Sequence, residues 1–295
     1  MPEIFSKLRT FLVLGRISNL PTVWTNCAVG WFLAGGGMVP EILWIIGGVS
    51  LLYIGGMTLN DAFDVKWDRE NAPERPVPSG LISVGSVWTL GILEMAGGIA
   101  LLHLKTSFHP IPLIGLVAAI LLYDWIHKGW KGSVLIMGIC RALVYIGAAS
   151  AVVSQTSNLE VPGPVIAIAI GVVLYIAGLT LAARNERNPS GNKTGHLVRL
   201  MLMLPILFPL IASSMTPSTT LQMAFVAVTV IAIWAWIVIC RTTLSKSIPA
   251  GIAFLIAGIA LFDAGILAFA DWRAALACLG AFFLTLFLQK YIPAT

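Results

Sequence analysis

Apolar runs long enough to cross a bilayer recur along the chain, at about 17–37, 41–60, 81–104, 110–127, 132–154, 163–183, 197–215, 220–240, 248–270 and 272–291. They predict an all-α polytopic membrane bundle of ten transmembrane helices joined by short polar loops. The last two runs are parted only by Ala270-Asp271, so nine spans with one broken pair is the alternative count. A single membrane domain over residues 1–295 accounts for the length and leaves no room for a soluble partner domain.

The polar positions between the runs carry a sign. With the N-terminus taken as cytoplasmic, 16 of the 18 Lys and Arg residues fall on the cytoplasmic side, and only Lys105 and Arg273 fall outside. That bias is the positive-inside signature. It predicts a multi-pass protein of a bacterial inner (cytoplasmic) membrane, with its N-terminus and the loops 61–80, 128–131 and 184–196 cytoplasmic. The outer loops are short and nearly uncharged.

Composition agrees with this picture. The chain is 58% hydrophobic and 11% charged, with mean hydropathy +0.92, whereas a soluble domain carries about 25% charged residues. The net charge of +5 does not point to nucleic acid, because the bases are scattered through short loops. Residues 1–16 are basic and amphipathic with no small-residue cleavage site after them, so the first span is expected to act as its own insertion signal. Cys27, Cys140, Cys240 and Cys278 lie in apolar runs without CxxC spacing and read as packing residues rather than a disulfide or zinc framework.

The densest chemistry follows the second run, in Asn60-Asp61-Ala62-Phe63-Asp64-Val65-Lys66-Trp67-Asp68, where three of the chain's 13 acidic residues fall within eight positions. In a continuing helix Asp61, Asp64 and Asp68 stand at i, i+3 and i+7 on one face, with Asn60 at its edge. Carboxylates that close repel one another unless a cation lies among them. A fan of hard oxygens suits Mg²⁺, which takes its remaining ligands from water and substrate phosphates. At a membrane edge, that combination points to a diphosphate carried on a lipid tail.

The second polar loop, Arg184-Asn185-Glu186-Arg187-Asn188-Pro189-Ser190-Gly191-Asn192-Lys193, holds one carboxylate among several bases. It is either a diphosphate clamp, with Arg184, Arg187 or Lys193 on phosphate oxygens and Glu186 or Asn185 at a second metal, or an ordinary positive-inside loop. After the fourth run, Tyr123, Asp124 and Lys128 either meet the same phosphate or form an interfacial belt. Arg141 lies inside an apolar run, where a charge costs about 3 kcal/mol, and so requires an anion, the phosphate included, or bundle water. Asp263 poses the same problem in the ninth run and reads as a hydrogen-bonded polar residue within the bundle. Asn19 and Asn26, seven apart on one helical face, are candidates for the cavity wall. The four histidines share no metal spacing, and no P-loop, GxGxxG or Ser/His/Asp set stands out.

At Asn60–Asp68 the sequence resembles the UbiA superfamily of intramembrane prenyltransferases, whose NDxxDxxxD signature is complete here, and Arg75-Pro76-Val77-Pro78-Ser79-Gly80 is similar to its RPxxSG continuation. With Cys140-Arg141 in the fifth helix it looks most like the EboC-like branch. The resemblance implies a UbiA-like bundle, usually of nine spans, around a cavity open to lipid. It also implies Mg²⁺ held by Asn60, Asp61, Asp64 and Asp68, with diphosphate held by Arg75 and Lys128. The family's second, Asp-rich signature is absent; Glu186 is the sole acid in its place. The expected function is therefore Mg²⁺-dependent transfer of a prenyl group from a prenyl diphosphate to an aromatic or other lipophilic acceptor, with Asp61 and Asp64 as catalytic residues. The alternative is a non-catalytic protein that binds or moves a lipophilic isoprenoid intermediate.

Overall fold

The computed structural model describes residues 2–154, 160–185, 195–214 and 220–294. Its helices are α1 (Pro2–Leu14), α2 (Leu20–Leu33), α3 (Glu41–Phe63), α4 (Val65–Asn71), α5 (Val84–Lys105), α6 (Pro110–Ile126), α7 (Ser133–Val153), α8 (Gly163–Asn185), α9 (His196–Met203), α10 (Phe208–Ser213), α11 (Thr220–Lys246), α12 (Ile248–Leu267) and α13 (Trp272–Leu288). There is no strand among the described residues. Each of the ten predicted apolar runs contains helix, and seven helical segments are long and apolar enough to cross a membrane by themselves. Helix α2, 14 residues long, spans about 21 Å at 1.5 Å per residue, less than the bilayer core of about 30 Å.

Local chemistry decides where the runs divide. Asp271 caps α13, its Oδ1 accepting from the backbone N–H of Arg273 at 2.8 Å and of Ala274 at 3.0 Å. An N-cap of this kind starts a new helix, so the last two runs form two helices, α12 and α13, packed against each other. The run 197–215 is broken by Pro205 and Pro209 into α9, a 3₁₀ turn at Leu204–Leu207 and α10, because proline lacks the N–H that an α-helix needs.

Helices α3 and α5 pack along glycines. A Cβ placed on Gly98 would lie 2.8 Å from the Gly48 carbonyl oxygen, and one on Gly55 would lie 3.1 Å from that of Gly91. Small residues of this kind let helices approach to backbone contact in a membrane. One apolar cluster joins α2, α3, α5, α6 and α7 around Leu52, Leu102 and Leu116, and another joins α7, α8, α11 and α12 around Ile168, Tyr175 and Phe262. Short α2 lies where the two meet and touches α3, α7, α8, α12 and α13. The outward face of α11 carries exposed Val228, Ile231 and Trp234. In water that belt would be a liability; in lipid it is the natural surface. The protein is an integral membrane protein.

Gly98→Leu should destabilise the bundle by about 1–3 kcal/mol through overpacking. At neighbouring Gly97 a Cβ meets only Leu51 at 3.6 Å, so Gly97→Leu should cost much less. Reversible detergent unfolding of both variants checks the contrast, and equal losses would contradict the α3–α5 contact.

Candidate functional site

The signature segment folds as a helix with one break. Helix α3 ends at Phe63 and α4 begins at Val65, yet Asp64 stays near the helical region at φ −81°, ψ −6°. Its N–H donates to the Asn60 carbonyl at 2.9 Å and its carbonyl accepts from Asp68 at 2.9 Å. The register is therefore kept through the break, and Asp61, Asp64 and Asp68 are all buried, at 7%, 4% and 1% exposure.

Basic side chains meet each carboxylate. Arg75 Nη1 lies 2.9 Å from Asp68 Oδ2 and 3.8 Å from Asp61 Oδ1, and Arg16 Nη2 lies 3.9 Å from Asp61 Oδ1. Lys128 Nζ lies 3.0 Å from Asp64 Oδ2, and His127 Nε2 lies 3.2 Å from the same oxygen. Lys128 also stands 3.7 Å over the Trp67 ring, a cation–π contact that fixes the ammonium. Arg75 is aimed by a compact turn in which Gly80, at φ +78°, closes the chain and Leu81 N–H reaches the Pro76 carbonyl at 3.0 Å. Asn60 Nδ2 donates to Asp124 Oδ1 at 3.0 Å. Two carboxylate oxygens of this rim, Asp68 Oδ1 and Asp124 Oδ2, are buried without a hydrogen-bond partner.

Buried acceptors left unmatched are costly, so this rim is built for a ligand that donates or carries positive charge. Among the described residues no three His, Cys, Asp or Glu side chains enclose one point as a ready metal cage. The donor set still fits Mg²⁺, which needs only one or two protein carboxylates when phosphate and water complete its shell. Asn60, Asp61, Asp64 and Asp68 are the residues that would hold it.

Beside the rim opens a largely apolar cavity of about 210 Å³, lined among others by Arg16, Asn19, Tyr53, Met57, Tyr123, Asp124, Cys140, Arg141, Ile176, Leu179 and Ile256. Asn19 is on this wall and also donates to the Ala294 carbonyl at 2.7 Å. Asn26 lies behind the wall: its Nδ2 reaches Tyr145 Oη at 2.7 Å and Asp263 Oδ2 at 2.8 Å, while its Oδ1 accepts from Arg141 at 2.7 Å. Asp263 is satisfied inside the bundle, accepting also from Thr25 at 2.6 Å and Tyr145 at 2.7 Å. Arg184 bonds to the carbonyls of Lys131 (3.0 Å) and His127 (3.2 Å) and to Ser133 Oγ (2.7 Å), so it ties α8 to the loop after α6. Glu186, Arg187 and Lys193 lie outside the described residues. The three cysteines Cys27, Cys240 and Cys278 are buried and free, and Cys140 is free and half-buried.

The structure thus gathers Asn60, Asp61, Asp64, Asp68, Arg75, Asp124 and Lys128 at one rim, with Tyr123 on the adjoining wall. Arg16 and His127 were not read as site residues in the sequence. Arg16 looked like one more cytoplasmic base, and only its left-handed backbone, φ 44° and ψ 48°, marks it as held in place. His127 was legible only as the neighbour of Lys128.

A profile of the UbiA prenyltransferase family matches residues 23–262. The chain belongs to that family. Digeranylgeranylglyceryl phosphate synthase of Ignicoccus hospitalis is 28% identical over 232 residues, covering 76% of this chain and 74% of that protein. Those of Methanoculleus marisnigri and Saccharolobus solfataricus are 33% and 32% identical, over 33% and 48% of this chain and only 35% and 51% of their own lengths. The fold is shared with a UbiA homologue from Aeropyrum pernix (TM-score 0.69, 17% identity, 84% of this chain and 97% of that one). It is also shared with a UbiA homologue from Archaeoglobus fulgidus bound to GPP and Mg²⁺ (TM-score 0.56, 16% identity, 89% and 99%).

Burial pushes the Asp64 carboxyl up, but the His127 hydrogen bond and charge, followed by Lys128, outweigh it and leave it below the ordinary carboxylate value. A lowered folded-state value contributes stability that is present above the unfolded value of about 3.9 and is lost as pH falls through the folded one. The wild-type melting temperature should therefore drop more than that of Asp64→Asn as pH is taken below about 4. Parallel curves for the two proteins would contradict the pairing.

Proposed function

We propose that this protein transfers a prenyl group from a prenyl diphosphate to an aromatic or other lipophilic acceptor within the membrane, in a Mg²⁺-dependent reaction. The observation that carries the reading is the set of three buried carboxylates, Asp61, Asp64 and Asp68, at the rim of an apolar cavity and interleaved with Arg75 and Lys128. A carboxylate set alone would repel a diphosphate, and a cation set alone would have no use for a metal. Both together match a headgroup bridged by a divalent ion.

Mg²⁺, when bound, supplies charge that neutralises the departing diphosphate. Arg75 and Lys128 supply fixed positive charge at the same place, where negative charge develops on the leaving group. The aliphatic wall, Met57, Ile176, Leu179 and Ile256, keeps water from the allylic carbon, and the π-faces of Tyr53 and Tyr123 on that wall suit a cation-like centre. Asp124, on the cavity wall, is the carboxyl group proposed to receive the proton that the acceptor sheds. The relatives named above bear the name digeranylgeranylglyceryl phosphate synthase and come from archaea, which favours a phosphorylated lipid alcohol among possible acceptors. The positive-inside bias supports a cytoplasmic rim.

Membranes containing the protein, given Mg²⁺, radiolabelled geranylgeranyl diphosphate and a source lipid extract as acceptor pool, should form labelled lipid product. Asp61→Ala and Asp64→Ala should each lower that product by at least about 100-fold while the protein still folds. Full turnover in both variants would refute the assignment, and Mg²⁺-independent binding without product would favour a carrier.

A further inference from the structure

Nearly all of the cavity wall is helical. Among the described residues that line it, only Arg16 and Ala294 lie outside helical segments. Ala294 arrives there on the segment that leaves α13, which turns at once: the N–H groups of Tyr291 and Ile292 both reach the Leu288 carbonyl, at 3.0 and 2.9 Å. Beyond the turn, Ile292 and Ala294 are buried while Pro293 between them is exposed, which is how an extended chain lies on a surface.

This strap is tied on both sides. Asn19 Nδ2 donates to the Ala294 carbonyl at 2.7 Å, and Ser18 Oγ donates to the Pro293 carbonyl at 3.4 Å. Gln289, at its root, donates from Nε2 to Asn19 Oδ1 at 3.3 Å and to the Ala253 carbonyl of α12 at 3.1 Å. The strap therefore bridges α12 and the 3₁₀ turn Ile17–Asn19. Arg16, which faces Asp61, directly precedes that turn, so the bridge stands beside the carboxylate rim. The other walls are helices packed along their length, whereas the strap is held by hydrogen bonds to two of its carbonyls and by two buried side chains. Segments with few buried contacts are the first to open.

The cavity it closes is small. Benzene, with its six carbons, occupies a dry cavity of about 150 Å³, so at the same density about 210 Å³ holds about eight carbons. That is close to the two isoprene units of a geranyl tail and well short of the four of a geranylgeranyl tail. We propose that residues 289–294 form a displaceable strap that sets the length of tail the cavity admits: a geranyl chain fits with the strap down, and a geranylgeranyl chain enters only as it lifts. Asn19 is the latch, a positioning residue that acts through the strap. Apparent affinity falls with the fraction of protein in the competent state, so the tied strap weakens binding of the longer chain and leaves the shorter one alone. As a selector of the prenyl donor, the strap rests on the transferase reading; as a moving wall of the cavity it does not.

The test uses the full chain in nanodiscs carrying Ala294→Cys, with geraniol and geranylgeraniol as probes at equal membrane mole fraction. Neither alcohol carries a diphosphate. Attachment of a maleimide at position 294, read from the peptide mass, tracks the open population when opening is fast. Labelling should be slow without ligand, stay within about twofold of that rate with geraniol, and rise at least about fivefold with geranylgeraniol. Adding Asn19→Ala should speed labelling without ligand and erase the difference between the alcohols, and Ile292→Ala, which loosens the other anchor, should do so in part. Melting temperatures certify that the variants are folded. With the diphosphates as substrates, Ile292→Ala should lower KM for geranylgeranyl diphosphate more than for geranyl diphosphate, a length-dependent split that general loosening of the fold would not produce. The proposal is overturned if geranylgeraniol exposes position 294 no faster than geraniol, or if Asn19→Ala and Ile292→Ala both label at the parent rate. Length-dependent labelling by the alcohols with no labelled product from any diphosphate would uphold the strap and remove the transferase reading, so the two failures are distinguishable.

Discussion

Three carboxylates buried within eight residues at a membrane edge are the constraint to which the rest of this protein answers. Left alone they would be neutralised or pushed apart. Instead each is compensated from a different direction: Asp68 by Arg75 from the turn after α4, Asp64 by His127 and Lys128 from the end of α6, and Asp61 at longer range by Arg16 and Arg75. The compensation is partial, because Asp68 Oδ1 and Asp124 Oδ2 remain without partners. Incomplete pairing in a buried site is expensive for folding and useful for binding, since a ligand that completes it regains what folding gave up.

The compensating groups arrive by way of helix packing. The α3–α5 glycine seam brings the helix of the acidic residues against its neighbour, and the loop after α6 is held down by Arg184 from α8. Helix α2 is too short to span the bilayer alone, but it contacts both apolar clusters and carries Asn26, which meets Asp263, while Asn19 just before it meets the C-terminal segment. The Thr25, Asn26, Tyr145 and Asp263 side chains accordingly form one hydrogen-bonded set inside the bundle. This follows from the solvent: in hydrocarbon an unmatched polar group has no water to turn to.

Electrostatics and hydropathy divide the cavity between them. Its rim is charged and its wall is mostly aliphatic, with Arg141 as the exception. In the reaction proposed above, that division assigns the leaving group to the edge and the reactive carbon to the apolar wall beneath it.

The sequence by itself determined the helical architecture and the spacing of the acidic segment. Hydropathy is a local property with the bilayer as its ruler, so all ten runs were legible, and the spacing of Asn60, Asp61, Asp64 and Asp68 carries through because Asp64 holds helical dihedrals across the break. Whether the final runs made one helix or two was written in Asp271, but only its hydrogen bonds to α13 show it acting as a cap. What tertiary structure alone decided was partnership across long chain separations. Arg16 against Asp61, His127 against Asp64, and Asp263 against Thr25, Asn26 and Tyr145 join residues from helices that no periodicity relates. A lone charge in an apolar run announces that it must have a partner, because hydrocarbon gives it no other refuge; which partner is settled by how the helices pack.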